Sequence, residues 1–452
     1  MERKRQARKW SIAFFLFLSL HFLSYAQEER TRTFELDNGL KVYLYERHTV
    51  PLVNLVLAVN CGSKDETDET NGIVHILEHY ILFRGTESRT GDQIAQEIRQ
   101  NGAYFNAHTS RDLAFFEISL PSENRDFALQ LQKEIVFELE LNQHELDEEK
   151  EIILEEINQL HDDPIRYATA LVYQNLFPGH PYQRPIYGRK EVIEKLTIDQ
   201  VRKFYNGYFV PDNSSLAVLG DFDLDDMEVK VREIFGPLEK KGFQLESFES
   251  ASPLPKTVEI EEEMDLNLGY LVIGMFGPDY NHEAQYAVDV LNQVLGSGLR
   301  PMLYQPLSQR RLYVNSLFMN YGSYMYGGAI LIYLSMEPKN LKTAQREITR
   351  YLRNTPNEYY SKNDYYGDAQ MYAIDYLGSA INQIRFKAHA GQENGLAVAS
   401  SLAKHQLMNT MLDRKNYLEN IEAVDSKNLR EVADAYLNTN RYVIVTISPK
   451  KR

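Results

Sequence analysis

The 452-residue sequence contains one cysteine, Cys61, and this scarcity excludes two kinds of stabilisation. An intramolecular disulfide requires two thiols, and a cysteine-ligated metal site requires more than one. Cys61 follows the apolar run Leu55–Val59, so we expect it to be a small buried core residue.

Long apolar runs are also scarce, because no segment after residue 26 is apolar enough to span a bilayer. At the N-terminus, a basic stretch precedes the apolar run Trp10–Leu23 and the small-residue site Ser24-Tyr25-Ala26. This order is typical of a secretory signal peptide, residues 1–26, cleaved after Ala26. A membrane anchor is the alternative, although the run is shorter than the roughly 20 residues of a spanning helix. Export without disulfides predicts a periplasmic protein and no membrane contact in the mature form.

Positive charge is in the minority, with 49 Lys and Arg side chains against 64 Asp and Glu. The net charge is −15, and loss of residues 1–26, which hold five basic side chains and one acidic, would change it to −19. Such a chain should repel nucleic acid and attract cationic partners. A solvated acidic surface is the simpler explanation of the same charge.

The length and the ordinary globular composition predict two domains of about 200 residues each. Residues 237–256 are charged, contain Pro253 and Pro255 and lack periodicity, which predicts a linker. The pattern then restarts: Leu216-Ala217-Val218 matches Ile444-Val445-Thr446, 228 residues later, each after a predicted helix. We therefore predict homologous domains over residues 27–236 and 257–452, the second without the histidine motif described below.

The order of the predicted elements indicates an α+β fold. The turn signal Asn38-Gly39 between two extended segments predicts a hairpin, and Pro51–Val59 predicts a buried strand. Further predicted elements are a strand pair over Phe105–Leu120 and long helices over Arg125–Leu141 and Gln143–His161. Strands followed by a block of helices are typical of a mainly antiparallel sheet packed against helices.

Within the apolar stretch from residue 71 to 91, the chain places His75, Glu78 and His79 in the order H-x-x-E-H. On a helix, residues i and i+4 share a face, so the two imidazoles can converge on one ion. Neutral imidazoles suit Zn²⁺, and a nearby carboxylate can remove a proton from a water activated by the ion. The alternative is a pair of half-buried histidines beside a solvated glutamate.

The predicted helix Gln143–His161 offers a third ligand. Its apolar stripe consists of Leu146, Ile153, Ile157 and Leu160. At ~100° per residue, Glu155 lies opposite the stripe and in solvent, whereas Glu149 and Glu156 both lie at its flank. Glu156 is therefore the candidate ligand, and Glu149 is the candidate group that orients a ligand. The alternative is a solvated acidic helix.

These motifs together resemble those of the inverzincin metallopeptidases of the pitrilysin/insulinase family, in particular its short-chain members similar to mitochondrial processing peptidase subunits. The resemblance extends through the mature chain and rests on these segments: residues 38–42, 72–79 with 83–86, 106–110, 149–157, 180–182, 208–213 and 291–298. It implies that His75, His79 and Glu156 bind zinc, that Glu78 is the general base, and that Glu149 supports the site.

The resemblance also implies a substrate-binding edge strand. The strand around Phe105, Asn106 and Ala107 would receive the peptide as an added strand, with Asn106 contacting the peptide backbone. A turn residue after Asn101-Gly102 is the alternative reading of Asn106.

One departure from the family pattern concerns the oxyanion. Family members that act alone carry, after a glycine-rich stretch, an arginine followed seven residues later by a tyrosine; the aligned positions here are Ser308 and Asn315. Arg310, Arg311 and Tyr313 are nearby but lack that spacing. The resemblance therefore implies one half of a clamshell: a zinc endopeptidase subunit for short unfolded peptides, with a homologous partner supplying the missing pair, or self-association. The alternative is a non-catalytic assembly or peptide-binding subunit of the same fold.

Overall fold

The computed structural model describes residues 30–298, 301–309, 314–366 and 369–450. The predicted signal peptide, residues 1–26, lies outside the described residues. Among the helices of the described ranges, none is both long enough and apolar enough to cross a bilayer.

The first sheet has six strands in the order β1-β2-β6-β3-β5-β4. Its members are β1 Arg30–Glu35, β2 Lys41–Glu46, β3 Leu52–Val59, β4 Tyr104–Thr109, β5 Ala114–Pro121 and β6 Ser214–Gly220. The pair β2 and β6 is parallel and all other neighbours are antiparallel. The predicted hairpin, buried strand and strand pair are confirmed.

Eight helices belong to the same part of the described chain. They are α1 Ile73–Phe83, α2 Gly91–Gln100, α3 Arg125–Phe137, α4 Gln143–Leu160, α5 Pro164–Leu176, α6 Lys190–Ile193, α7 Ile198–Tyr208 and α8 Leu224–Phe235. The prediction that α3 continues to Leu141 is wrong. Leu139 instead forms a bridge with Thr86, and its N–H donates to the Tyr205 hydroxyl at 3.1 Å, so the chain leaves the helix to meet these partners.

The second sheet has five strands in the order β7-β11-β8-β10-β9. They are β7 Val258–Met264, β8 Gly269–Gly277, β9 Val314–Tyr324, β10 Gly327–Met336 and β11 Tyr442–Pro449. Its helices within the described residues are α9 Ala284–Gly296, α10 Tyr304–Gln309, α11 Leu341–Asn354, α12 Ala369–Tyr372, α13 Tyr376–Gly391, α14 Gly395–Leu407, α15 Met411–Glu422 and α16 Ser426–Val432.

The two sheets share one topology. The order β7-β11-β8-β10-β9 repeats the last five strands of the first sheet, β2-β6-β3-β5-β4, and in each of these five-strand runs the first two strands are the parallel pair. The segments matched in the sequence, Leu216–Val218 and Ile444–Thr446, lie on the equivalent strands β6 and β11. The predicted α+β fold of two homologous units is confirmed. The predicted linker, residues 237–256, contains neither helix nor strand.

Each unit lends a helix to the sheet of the other. Helix α5, from the first half of the chain, packs on β8 and β11, and α14, from the second half, packs on β3 and β6. Strand β3 therefore buries both faces: Leu55 and Leu57 point into the core that contains α1, whereas Val56 and Ala58 pack against α14. Burial on both sides explains why β3 reads as a nearly continuous apolar run. Cys61, directly after β3, is buried in the same core, as predicted.

Candidate metal centre and active site

Helix α1 carries the histidine motif and begins at an anchored N-terminus. Gly72, at the cap, has φ +100°, and its N–H donates to Glu66 Oε2 at 2.9 Å. The second oxygen of Glu66 accepts the N–H of Val74 at 3.1 Å, so one carboxyl group satisfies two donors of the first turn. Complete burial raises the pKa of Glu66 to about 8. Six side chains of α1 lie in the core and fix the helix against rotation: Ile73, Val74, Ile76, Leu77, Tyr80 and Ile81.

The structure brings together the three predicted ligands. Nε2 of His75 and Nε2 of His79 each lie 3.6 Å from Oε2 of Glu156 on α4. Both histidines are 5% exposed, whereas the Glu156 side chain is 37% exposed and reaches the site from the rim. Glu155, its neighbour, is exposed on the other side of α4, as the periodicity of the helix predicts.

These ligand atoms suit a zinc ion. One atom from each of the three side chains lies within 4.8 Å of the other two. Tetrahedral zinc with bonds of about 2.0–2.1 Å places its ligand atoms about 3.4 Å apart, close to the separations found here. Burial, together with the neighbouring His79, lowers the pKa of His75 to about 3, so this imidazole is neutral and available as a ligand.

Glu149 holds His79 in position. Nδ1 of His79 lies 2.9 Å from Glu149 Oε2, and Nε of Arg84 donates to Glu149 Oε1 at 2.5 Å. Burial opposes ionisation of Glu149, but its hydrogen bond with His79 and the Arg84 guanidinium keep the pKa of this carboxyl below its usual range. Burial lowers the pKa of His79, and the surrounding carboxylates reverse the shift. A proton on Nδ1 leaves Nε2, the atom facing Glu156, free to bind metal.

Glu78 lies on α1 between the two histidines in sequence. Burial raises the pKa of its carboxyl, and Thr109 of β4 and His79 partly oppose this shift. A carboxylate with a raised pKa beside a ligand cluster is suited to accept a proton.

Strand β4 forms an edge of the first sheet beside α1. Phe105 is partly buried, Asn106 is exposed and Ala107 is buried, and Asn106 of β4 pairs with Glu117 of the neighbouring strand β5. The reading of Asn106 as a turn residue is therefore wrong. Among the described residues, no strand pairs with the outer side of β4, so its backbone groups can receive another strand.

Three contacts of the site were missed by sequence reasoning. They are the Glu66 cap, the Arg84–Glu149 pair and Tyr187, whose ring lies edge-on to His75 with centroids 4.9 Å apart. The sequence offered a signal only for Arg84, which is the one charged side chain just after the apolar α1 segment.

The two positions aligned with the family's arginine and tyrosine lie within the described residues, but the nearby basic and aromatic residues do not. Ser308 lies on α10, and Asn315 is exposed on β9. Arg310, Arg311 and Tyr313 lie outside the described residues.

Comparison with known proteins gives the family. The family model described as insulinase (peptidase family M16) matches residues 41–190. The family model described as peptidase M16 inactive domain matches residues 195–367. Together these segments span most of the chain, and the chain belongs to the insulinase family of metallopeptidases, M16. The second family model is described as an inactive domain, and this agrees with the sequence, in which the H-x-x-E-H motif occurs once, in the first half of the chain.

Relatives of similar length are described as zinc proteases. An uncharacterized zinc protease, YmxG, of Bacillus subtilis (strain 168) is 25% identical over 92% of this chain and 98% of its own. An uncharacterized zinc protease of Mycobacterium leprae (strain TN) is 28% identical over 72% of this chain and 73% of its own.

Solved structures share the fold. A protease from Helicobacter pylori has a TM-score of 0.81 at 22% identity, covering 93% of this chain and 100% of its own. A peptidase M16 inactive domain from Pseudomonas fluorescens has a TM-score of 0.81 at 20% identity, covering 93% of this chain and 98% of its own.

Proposed function

We propose that this chain is the zinc-bearing subunit of an endopeptidase that hydrolyses short unfolded peptides. The observation that carries the proposal is the convergence of His75, His79 and Glu156 beside the partly buried carboxyl group of Glu78. A chance acidic surface would not bury two imidazoles next to a carboxylate and orient one of them through a third carboxyl group.

In this proposal each side chain has a separate task. His75, His79 and Glu156 hold the ion, and Glu149 with Arg84 keeps His79 in one orientation. When bound, zinc supplies Lewis-acid polarisation of the scissile carbonyl and lowers the pKa of a water molecule. Glu78 would accept a proton on a carboxylate oxygen and deliver it to the leaving amine.

Substrate recognition uses the edge of the first sheet. A peptide added beside β4 would pair with the backbone of Phe105, Asn106 and Ala107, and Asn106, being exposed, can also reach it with its side chain. Only an extended segment can pair in this way, which favours unfolded peptides over folded proteins.

A homologous partner chain completes the enzyme. Ser308 and Asn315 stand where an arginine and a tyrosine would bind the oxyanion, and loss of one such donor costs about 10²–10³ in turnover. Export by the signal peptide would place the complex in the periplasm. The second candidate, a non-catalytic peptide-binding subunit, is favoured by this same departure.

The test is cleavage of a mixed quenched-peptide library by the zinc-loaded mature chain and its Glu78→Gln variant. Each is assayed alone and with a homologous chain that carries the arginine–tyrosine pair. Glu155→Gln is the matched control, because it makes the same chemical change on the exposed side of α4.

Activity that needs the partner, is lost in Glu78→Gln and persists in Glu155→Gln supports the proposal. Activity of the chain alone contradicts the need for a partner. Zinc binding with no cleavage under any condition overturns the endopeptidase proposal in favour of the binding subunit.

A further inference from the structure

A cavity lined by several basic side chains lies in the second half of the chain. It has a volume of about 730 Å³ and is lined by the C-terminal part of α13 and by α14 and α15. Its cationic and titratable basic side chains are Lys404, Arg414, Lys415, His389 and His405. Among the described residues that line it, Asp413 is the one carboxylate. This balance is opposite to that of the whole chain, in which acidic residues outnumber basic ones.

The two inner cations lack counter-charges. Within the described part of the chain, no carboxylate oxygen lies within ion-pair distance, 4.0 Å, of Lys404 or Arg414. Nε of Arg414 donates to Ser401 Oγ at 3.1 Å, a neutral partner. Nζ of Lys404 lies 5.7 Å from the centroid of the Tyr280 ring, which gives at most a weak cation–π contact.

The carboxylates near this cavity are already engaged. Asp112 acts on the charge of Lys404 from the first half of the chain, but its oxygens accept the Tyr182 hydroxyl at 2.6 Å and the Met325 N–H at 2.9 Å. Asp289, behind the cavity wall, accepts the Tyr417 hydroxyl at 2.9 Å. Asp413 is exposed at the opening. None of them neutralises the inner cations by direct contact.

Partly buried cations without a carboxylate in direct contact reduce the stability of a fold. Burial disfavours the charged form of three groups in this cavity. Burial lowers the pKa of Lys404 and of Arg414, and burial with these two neighbours lowers the pKa of His405 to about 4. Unpaired charges of this kind, grouped in a cavity, are typical of a site that is completed by a ligand.

We propose that this cavity binds a small, multiply charged anion, with phosphate or carboxylate groups held by Lys404 and Arg414. The planar guanidinium of Arg414 can donate two parallel hydrogen bonds to either group, and Lys404 adds a mobile ammonium. Tyr280, Tyr286 and Tyr417 supply aromatic walls for the body of an organic anion. The site does not depend on the zinc centre or on peptidase activity.

The experiment is calorimetric titration of the purified mature chain with inorganic diphosphate and, separately, with citrate. We expect saturable binding with a Kd at or below about 1 mM for at least one of them. The same anion should raise the melting temperature in a concentration-dependent way, because it binds the folded state. Binding of diphosphate alone identifies a phosphate ligand, and binding of citrate alone identifies a carboxylate ligand.

The variants are Lys404→Met and Arg414→Met, singly and together. Each should weaken anion binding at least tenfold and, in the ligand-free protein, raise the melting temperature by about 2–4 °C, because an unpaired cation is removed. Lys339→Met is the matched control, since this 76% exposed side chain loses the same charge outside the cavity. It should bind the anion as the parent does.

A variant that no longer binds the anion but melts at a higher temperature than the parent is folded. Its loss of binding is then not caused by unfolding. The proposal is overturned if neither anion binds, if the double variant binds as tightly as the parent, or if both single variants melt below the parent. In the last case the two cations are structural.

Discussion

Nδ1 of His79 lies 2.9 Å from Oε2 of Glu149, a residue 70 positions further along the chain. The other oxygen of Glu149 accepts Nε of Arg84 at 2.5 Å. The carboxylate is thus held from one side while it orients the imidazole on the other. This arrangement joins the two helices that carry the proposed zinc ligands.

Removal of the Glu149 charge should weaken zinc binding. Glu149→Gln keeps the shape of the side chain but loses the strong acceptor for Nδ1–H, so zinc affinity should fall about 10–100-fold, measured by competition with a chelator. Glu148→Gln is the control, because Glu148 also pairs with Arg84, at 2.7 Å, and is 46% exposed. An equal loss in both variants would mean that the Glu149–His79 contact does not orient the ligand.

The start of α1 should not tolerate a side chain at Gly72. Its φ is +100°, and an added Cβ would lie 2.4 Å from Cδ1 of Ile193 and 2.8 Å from Cα of Gly188. Gly72→Ala should therefore lower the free energy of unfolding by more than about 2 kcal/mol in urea denaturation. Gly207→Ala, in α7 with open space around the added Cβ, should leave it unchanged or raise it by up to about 1 kcal/mol. Equal stability of the two variants would contradict this view of the helix start.

The packing of α5 on β8 should depend on the sizes of the side chains where the helix meets the strand. A Cβ at Gly274 would lie 2.2 Å from Cγ1 of Val172, so Gly274→Ala should cost about 1–3 kcal/mol through overpacking. Val172→Ala removes the obstructing methyl groups, and the double variant should be less destabilised than the sum of the singles. Urea denaturation of all four proteins gives the coupling energy, expected at about 0.5–3 kcal/mol. Simple additivity would show that these residues do not meet across the two units.

His48, two residues after the end of β2, should make stability depend on pH. Nδ1 of His48 lies 2.5 Å from Asp221 Oδ1, and Nε2 lies 3.2 Å from Glu46 Oε1. Hydrogen bonds to Asp221 and then to Glu46 raise the pKa of His48 above its unfolded value. The stabilisation is therefore fully present below the ordinary pKa of about 6.5 and is lost as the pH rises through the higher folded-state pKa.

The contribution of His48 to the free energy of unfolding should stay below about 1 kcal/mol, because the His48 and Asp221 side chains are each about one-third exposed. The urea midpoint, measured at about pH 5.5 and about pH 9, should change less between these pH values in His48→Gln than in the parent. His144→Gln, at an 83% exposed position on α4, should keep the parental change. An unaltered pH response in His48→Gln would assign the dependence to other groups.

Local sequence patterns determined much of the fold and most of the candidate site. The i, i+4 spacing of His75 and His79 places both on one face of a helix, and the same helical period separates Glu156 from the exposed Glu155. The continuous apolar run of β3 identified a buried strand. These predictions agree with the structure because each depends on a sequence pattern that lies within a single helix or strand. The predicted end of α3 was wrong because Leu139 is fixed by Thr86 and Tyr205, which are distant in sequence.

Other features were decided by the tertiary structure alone. The Glu66 cap, the Arg84–Glu149 pair and the edge of Tyr187 against His75 all join separate segments, and no local period encodes such contacts. The exchange of α5 and α14 between the two sheets is decided in the same way. The sequence by itself determined which side chains could bind a metal and which strands are buried. Only packing between distant segments decided which carboxylates are ionised, which cations remain unpaired and which helix covers each sheet, because burial and charge pairing depend on the whole fold.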